Sequence, residues 1–379
     1  MDLASLPTLE AQLDALPSSL RERLIRRGFD PAQLQAWASD DRSADTRNRI
    51  GGEVKPVPAG DLEALPPVTS AAHAALTERG EEILGAGQLS VCVLAGGMAT
   101  RMGGVVKSLV EVVDGHTFLD LRLREMAALG RRHGRPVPLW LMTSEPTDGP
   151  IREALRHGGH ENVAATFEQH VSLRLAEDAP KLWLDDEGEP SVYATGHGDL
   201  PDALVASGQL ARFVEGGGRY VWISNIDNLG ARVDPALLGA HAEAGAPVTV
   251  EVVDKHPGDK GGGPVLHDGS PIICEHFRLP LDFDADQVPV FNTNTFIIDA
   301  KALLELAFDW TYVRVNKNVQ GRPAVQFERL LGEITVPLRP RFAHVSREGE
   351  DTRFLPVKSH EDLAAVADRA RRLATSHQG

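Results

Sequence analysis

Residues 90–108 read SVCVLAGGMATRMGGVVKS: an apolar strand runs into Gly96 and Gly97, crosses a polar loop, and reaches Lys107 ahead of another apolar run. Paired glycines at a strand end allow a tight turn or a close approach of backbone to a ligand. Arg101 and Lys107 just beyond the turn point to an anion, and phosphate is the first candidate. Two common phosphate loops do not fit. A Walker loop needs Gly-Lys-Ser/Thr contiguous, whereas Val106 precedes Lys107-Ser108. A dinucleotide fingerprint needs GxGxxG, which Gly96, Gly97, Gly103 and Gly104 do not supply. On its own, the stretch reads as a tight strand-to-helix turn with Arg101 and Lys107 as solvated charges.

Beyond this loop the chain keeps one rhythm. Short apolar runs predict strands at 89–95, 138–143, 164–169, 219–224, 248–253 and 290–298, and helical periodicity falls near 117–130, 148–157, 200–214 and 235–244. Strands alternating with helices imply a mainly parallel α/β sheet covered on both faces. Ligands of such sheets bind beyond the carboxyl ends of the strands. Residues 1–85 read as an N-terminal helical cap. Within them, Ser19-Leu-Arg-Glu22 has capping-box spacing, Gly28 is a C′ glycine, Asp30-Pro31 restarts a helix, 50–67 is a loop, and a further helix runs from Ser70 to Leu84. Residues 86–340 form the expected catalytic domain, and 341–379 a C-terminal extension with RFLPVK and a terminal helix over 359–375.

Composition narrows the function classes. The 379 residues are 42% hydrophobic and 25% charged, ordinary for a globular chain. A net charge of −15, from 54 acidic against 39 basic residues, argues against a nucleic-acid partner but leaves room for small anions in a locally basic cleft. Cys92 and Cys274 have no metal-type spacing, and Cys92 packs as a small hydrophobe. No signal-peptide pattern opens the sequence, and no apolar run approaches the roughly 20 residues of a membrane span. A cytoplasmic location with no membrane partner is expected.

Several segments, in order, carry a resemblance. LAGGMATRMGG followed by Lys107 resembles the L-x-GG-x-G-T-R-x-G signature of the sugar nucleotidyltransferases, with Ala99 where that family has glycine. The resemblance implies that Leu94, Ala95, Gly96 and Gly97 wrap a nucleoside triphosphate while Arg101 and Lys107 meet the departing pyrophosphate. TFEQH (166–170) resembles the strand whose glutamine, here Gln169, reads uracil. TGHGDLPDALVASG (195–208) resembles the GHGD segment of the UTP–glucose-1-phosphate uridylyltransferases and related UDP-sugar pyrophosphorylases, which implies that Gly196 and Gly198 admit base and sugar and that His197 meets phosphate. YVWISNIDNLGARVD (220–234) resembles the family strand whose aspartate, Asp227, holds Mg²⁺, with Asn225 and Asn228 orienting hydroxyls or that carboxylate. DKGGGPV implies a sugar-facing Lys260, and FNTNTFIID implies that Asn292, Thr293 and Asn294 contact sugar hydroxyls. VNKNVQGRPAVQFERL resembles the family's Asn-Pro-Lys segment with Lys317 either at the position usually held by proline or shifted by one, and with Gln326 and Glu328 organising the site. RFLPVK resembles RFxPVK, in which Lys358 reaches the phosphates of both substrates.

Taken together, the chain is similar to the eukaryotic-type UTP–glucose-1-phosphate uridylyltransferases, also called UDP-glucose pyrophosphorylases. The resemblance implies a Rossmann-like, GT-A-like mixed sheet with helices on both faces. It also implies that UTP and glucose 1-phosphate give UDP-glucose and pyrophosphate by in-line attack on the α-phosphate. Mg²⁺ on Asp227 together with Arg101, Lys107, Lys260 and Lys358 would offset the charge of two polyanions. A broad-range UDP-sugar pyrophosphorylase remains an alternative, as does a weakly catalytic UDP-sugar sensor, which Ala99 and Lys317 would favour. The chain stops shortly after RFLPVK, so the family's C-terminal β-helix domain is expected to be absent and the protein a monomer.

Overall fold

The strand that feeds the glycine loop lies inside an eight-stranded sheet. The computed structural model describes residues 3–40, 42–259 and 261–376. Numbered in chain order, the strands of this sheet are β1 (Leu62–Ala64), β2 (Leu89–Leu94), β3 (Leu139–Thr143), β4 (Ala164–Glu168), β5 (Tyr220–Asn225), β6 (Val248–Asp254), β7 (Val290–Asp299) and β8 (Pro340–His344). Their spatial order is β1-β8-β6-β7-β5-β2-β3-β4. Apolar side chains cover both faces: Val91, Cys92 and Val93 of β2 are all fully buried, as are Val221, Trp222 and Ile223 of β5. That double burial is why these strands read as continuous apolar runs rather than alternating ones.

The sheet is mainly parallel, as the alternation of strands and helices predicts, with one antiparallel strand that makes it the mixed sheet the resemblance implies. The pairs β5-β2, β2-β3 and β3-β4 are parallel, but β7 runs antiparallel to both β5 and β6. Among the described residues no crossover α-helix separates β6 from β7; the chain between them makes the hairpin of Gly263–His267 and Ser270–Cys274. Without a crossover the chain returns antiparallel, so the sheet is mixed. The short strands β1 and β8 extend it in parallel beyond β6, although β1 falls in a stretch that reads as loop.

The helices lie close to their expected bounds, and the exceptions have local causes. The run over 200–214 is split into Leu200–Ala206 and Gln209–Glu215 because Gly208 is left-handed, at φ 71°. The helix Ser18–Arg26 starts one residue before Ser19, with Pro17 at the cap position and no side-chain cap. Helices Ala71–Gly85 and Pro235–Ala244 pack backbone to backbone: a Cβ built on Gly239 would lie 2.0 Å from the Leu76 carbonyl oxygen, and one on Gly80 1.9 Å from that of Pro235. The N-terminal helices pack elsewhere. Leu9, Leu13, Leu24 and Leu34 share a core with Val171, Leu173, Val325 and Phe327. Those partners belong to the ribbon Val171–Leu173/Val192–Ala194 and the hairpin Val313–Val319/Arg322–Glu328, both beside the strand ends.

Overlap with a backbone carbonyl cannot be relieved by rotating a side chain. Gly239→Ala is therefore expected to cost about 3 kcal/mol, measured as a lower thermal midpoint. Gly60→Ala is the control, since nothing lies within 4 Å of a Cβ there. Equal midpoints for the two variants would reject the helix contact.

Candidate active site

The carboxyl ends of β2, β3, β4 and β5 open on a cleft enclosing about 760 Å³ of open space, lined by Leu94, Gly96, Gly97, Lys107, Met142, Gln169, His197, Asn225, Ile226 and Asp227. Parallel strands all deliver their following loops to this end, so residues far apart in sequence converge here.

The glycine loop forms the floor. The Gly96 carbonyl accepts a hydrogen bond from Ser144 Oγ (2.8 Å), and a Cβ on Gly96 would meet Gln169 Oε1 at 2.7 Å. The Lys107 N–H donates to the Gly97 carbonyl (3.1 Å). Between them, Met98–Ala99 pairs with Val105–Val106, and Gly103 and Gly104 turn the chain at φ 88° and 72°. Ala99 has φ −80° and is buried, so its methyl sits in the loop without backbone strain.

Lys107 Nζ lies 2.8 Å from Asp227 Oδ2, joining the loop after β2 to the loop after β5. Among the described residues, Asp227 Oδ1 has no hydrogen-bond partner, and no group of three His, Cys, Asp or Glu side chains is arranged to hold a metal. A metal here would take one protein carboxylate and draw its other ligands from phosphate and water. That donor set suits a hard cation such as Mg²⁺.

His197 is fixed by its neighbours. Its Nδ1 accepts the Leu331 N–H at 2.9 Å, which leaves the ring proton on Nε2, and burial holds its pKa below the usual histidine value. Gly196 and Gly198 each meet a packing demand of the fold. A Cβ on either would strike the Arg329 backbone at 2.6 Å, so these glycines let the GHGD turn lie flat on residues 328–330. Asp199 is fully buried, accepts from Thr195 Oγ1 (2.7 Å), and lies 3.6 Å from Arg329 Nη1. Burial pushes its carboxyl up to about 7, against the pull of Arg329.

Asparagines form a second chain of contacts. Asn294, left-handed at φ 62°, donates from Nδ2 to Asn225 Oδ1 (2.9 Å) and from its backbone to Asn292 Oδ1 (2.8 Å). Thr293, expected beside them, is buried with its hydroxyl donating to the Glu251 carbonyl (3.3 Å), because successive side chains of a strand point to opposite faces. Asn228 lies between the loop that carries Asp227 and residues 353–355. It is buried, donating to the Arg353 carbonyl (3.1 Å) and accepting from Gly230 (3.1 Å) and Leu355 (2.8 Å). With the bonds Leu229 N–H to Leu355 O and Val357 N–H to Asp227 O, it stitches RFLPVK to the Asp227 loop. Arg353 anchors the other side through a two-pronged pair with buried Glu251, at 2.9 Å and 2.7 Å.

Two expected cations are not among the cleft-lining side chains. Arg101 is exposed, with no ion-pair partner among the described residues. Lys358 is exposed one residue past Val357, its N–H capping onto Asp362 (2.8 Å). Lys260 lies outside the described residues. Lys317 pairs with Glu328 (3.3 Å), and Arg174 donates to Gln326 (3.0 Å), so that hairpin organises itself.

A family model described as UTP–glucose-1-phosphate uridylyltransferase matches residues 51–377. The chain belongs to this family. It is similar to the UTP–glucose-1-phosphate uridylyltransferase of Encephalitozoon cuniculi, 31% identical over 76% of this chain and 60% of that one. It is likewise similar to that of Saccharomyces cerevisiae, 30% identical over 77% and 61%. The chain thus spans about three-fifths of the length of these relatives. Its fold matches the V402W mutant of Leishmania major UDP-glucose pyrophosphorylase, with a TM-score of 0.72 at 24% identity over 95% of this chain and 78% of that one. It also matches the UDP-glucose phosphorylase of Trypanosoma brucei, again with a TM-score of 0.72 at 24% identity, over 94% and 76%.

Within this uridylyltransferase family member, sequence reasoning missed Met142, Ile226, Ser144 and the Arg353–Glu251 pair. Ser144 was detectable as a cap residue ahead of Glu145-Pro146. Glu251 was detectable as a lone acid inside the apolar run Val248–Val253, which demands a buried partner. Burial already raises the Glu251 pKa, and Arg353 opposes that rise. A folded-state value above the unfolded one means that stability is full below the unfolded pKa and falls as pH rises through the folded one. Arg353→Met is therefore expected to cost about 3–5 kcal/mol near neutral pH, with the deficit shrinking toward the acid range. The double variant Arg353→Met/Glu251→Gln should recover much of it. Denaturant unfolding across pH reads this, and a pH-independent deficit would reject the pair as the anchor.

Proposed function

We propose that this chain is a cytoplasmic uridylyltransferase that makes UDP-glucose and pyrophosphate from UTP and glucose 1-phosphate. The observation that carries the reading is the Lys107–Asp227 pair over a glycine floor that abuts Gln169. Cation, carboxylate and base-reading amide then stand in one cleft in the family's order. The proposed location is supported by two unbridged, buried cysteines.

In this reading Gly96 and Gly97 leave backbone bare beneath the nucleotide. The Gln169 amide both donates and accepts, as uracil's alternating carbonyl and N–H edge requires. Neutral His197 donates from Nε2 to a phosphoryl oxygen. Asn225, Asn292 and Asn294, already linked to one another, present donors and acceptors to sugar hydroxyls. An oxygen of the sugar phosphate attacks the α-phosphorus in line; the bond from that phosphorus to the bridging oxygen breaks, and pyrophosphate departs with the electron pair. The nucleophile is already an anion, so no general base is needed. Bringing two polyanions together is the main cost, and positive charge inside a desolvated cleft offsets it. Lys107 supplies that charge by releasing Asp227 and turning to the triphosphate. Asp227 is the residue that would hold Mg²⁺, and the ion would neutralise phosphate charge there. Arg101 and Lys358, on exposed loops at the rim, would close onto the phosphates, while the role of Lys260 rests on its motif alone.

Purified protein given Mg²⁺, UTP and a panel of sugar 1-phosphates is expected to release pyrophosphate, fastest with glucose 1-phosphate. Chelating the metal should stop release. Comparable rates with galactose or pentose phosphates would favour a broad-range enzyme, and silence across the panel a sensor. Lys107→Ala should lower turnover about 100-fold or more, while UDP-glucose binding, followed by calorimetry, largely survives. Unchanged turnover would return Lys107 to a structural partner of Asp227.

A further inference from the structure

The family match begins at residue 51, yet a point before it touches the nucleotide side of the cleft. Helix Ser18–Arg26 ends at Arg27 and Gly28, and both residues grip the strand that carries Gln169. Arg27 Nη2 lies 2.9 Å from Glu168 Oε2, and its Nη1 2.9 Å from Glu145 Oε1. The Arg27 carbonyl accepts the Val171 N–H at 3.0 Å. Gly28 is left-handed at φ 78°, and a Cβ there would strike the His170 ring at 2.6 Å. Glu168 and His170, the residues flanking Gln169, are therefore both held by one turn of the N-terminal segment.

The second carboxylate gives this grip a direction. Glu145 opens the helix Glu145–His157, directly after Ser144, whose hydroxyl donates to the Gly96 carbonyl. One guanidinium thus ties together the two elements that set the spacing between Gln169 and the glycine floor, where Gln169 Oε1 already sits within 2.7 Å of a Cβ position on Gly96. A planar fork reaching two carboxylates fixes their separation in a way a single ammonium cannot.

We infer that Arg27 is a positioning residue which, through Glu168 and Glu145, sets the place of Gln169 and so the preference of the cleft for uracil over other nucleobases. The inference rests on the reading of the cleft as a uridine-nucleotide site. Base recognition by an amide is sensitive to small displacements, because each misplaced hydrogen bond leaves a polar group unpaired. The far side of the cleft, where the asparagines meet the sugar, shares none of these contacts.

The test uses the full-length chain and its Arg27→Met, Arg27→Lys and Glu168→Gln variants. For each, KM for UTP, KM for glucose 1-phosphate, kcat, and the ratio of kcat/KM for UTP to that for CTP are measured, with Kd values for UTP and CTP by calorimetry. Arg27→Met is expected to raise KM and Kd for UTP about tenfold, the scale of one lost hydrogen bond, and to lower the UTP-to-CTP ratio. KM for glucose 1-phosphate should stay within about twofold. Arg27→Lys should recover part of the ratio by keeping one carboxylate contact, and Glu168→Gln should lower it with the fold intact. A fall in thermal midpoint with the UTP-to-CTP ratio unchanged, or an equal rise in both KM values, would overturn the inference and leave Arg27 as a stabilising contact. Wild-type protein that binds UTP without releasing pyrophosphate would overturn the proposed reaction while the Kd ratios still decide the inference. Wild-type protein that binds no uridine nucleotide would overturn both.

Discussion

Arg353 and Glu251 form a buried, two-pronged ion pair between the C-terminal segment and the sheet, and the geometry of the cleft depends on it. Glu251 sits in β6, where an unpaired carboxylate would be intolerable, and Arg353 is the partner that makes it tolerable. The same guanidinium donates to the Arg232 carbonyl and lies over the Trp222 ring, so it also holds the loop after β5. With Arg353 fixed, Asn228 can bridge to its carbonyl, Gly230 can press on its backbone, and Val357 can bond the Asp227 carbonyl. The position of Asp227 is therefore set from both sides, by its own strand and by a segment more than a hundred residues later.

The second constraint is electrostatic. A chain with net charge −15 must concentrate positive charge locally if it is to handle anions. Within the cleft Lys107 is held against Asp227, which keeps its ammonium poised and partly shielded. The GHGD turn follows the opposite rule. It keeps His197 neutral and seats Asp199 beside Arg329, whose guanidinium lies 4.6 Å from the Trp310 ring centroid. One part of the site holds a half-buried ammonium against a carboxylate, and the other buries Asp199 beside Arg329.

Much of this was legible along the chain because burial leaves a periodic trace. The sheet strands β2 to β7 stand where apolar runs predict them, and helix Pro235–Ala244 lies where helical periodicity falls. The candidate residues Leu94, Gly96, Gly97, Lys107, Gln169, His197, Asn225 and Asp227 converge on one cleft. The roles of particular side chains were less legible. Thr293 and Asn228 belong to motifs rich in polar residues, but strand alternation puts one behind the sheet and the RFLPVK segment claims the other. Gly196 and Gly198 read as room for a ligand, whereas the demand that the Arg329 backbone makes on the same positions leaves no trace in the motif.

By itself, the sequence determined the α/β alternation, the strand-end glycine loop, and the family to which the ordered motifs belong. These are local properties: apolar period, turn residues and motif spacing are written in neighbours along the chain. Only the tertiary structure decided that β7 runs antiparallel, that Ala99 fits its loop without strain, and that Arg353 answers Glu251. It alone showed which asparagines face the cleft and that the N-terminal turn grips the strand of Gln169. Those facts depend on which distant group fills a given space or satisfies a given hydrogen bond, and a one-dimensional pattern records that a partner is needed without naming it.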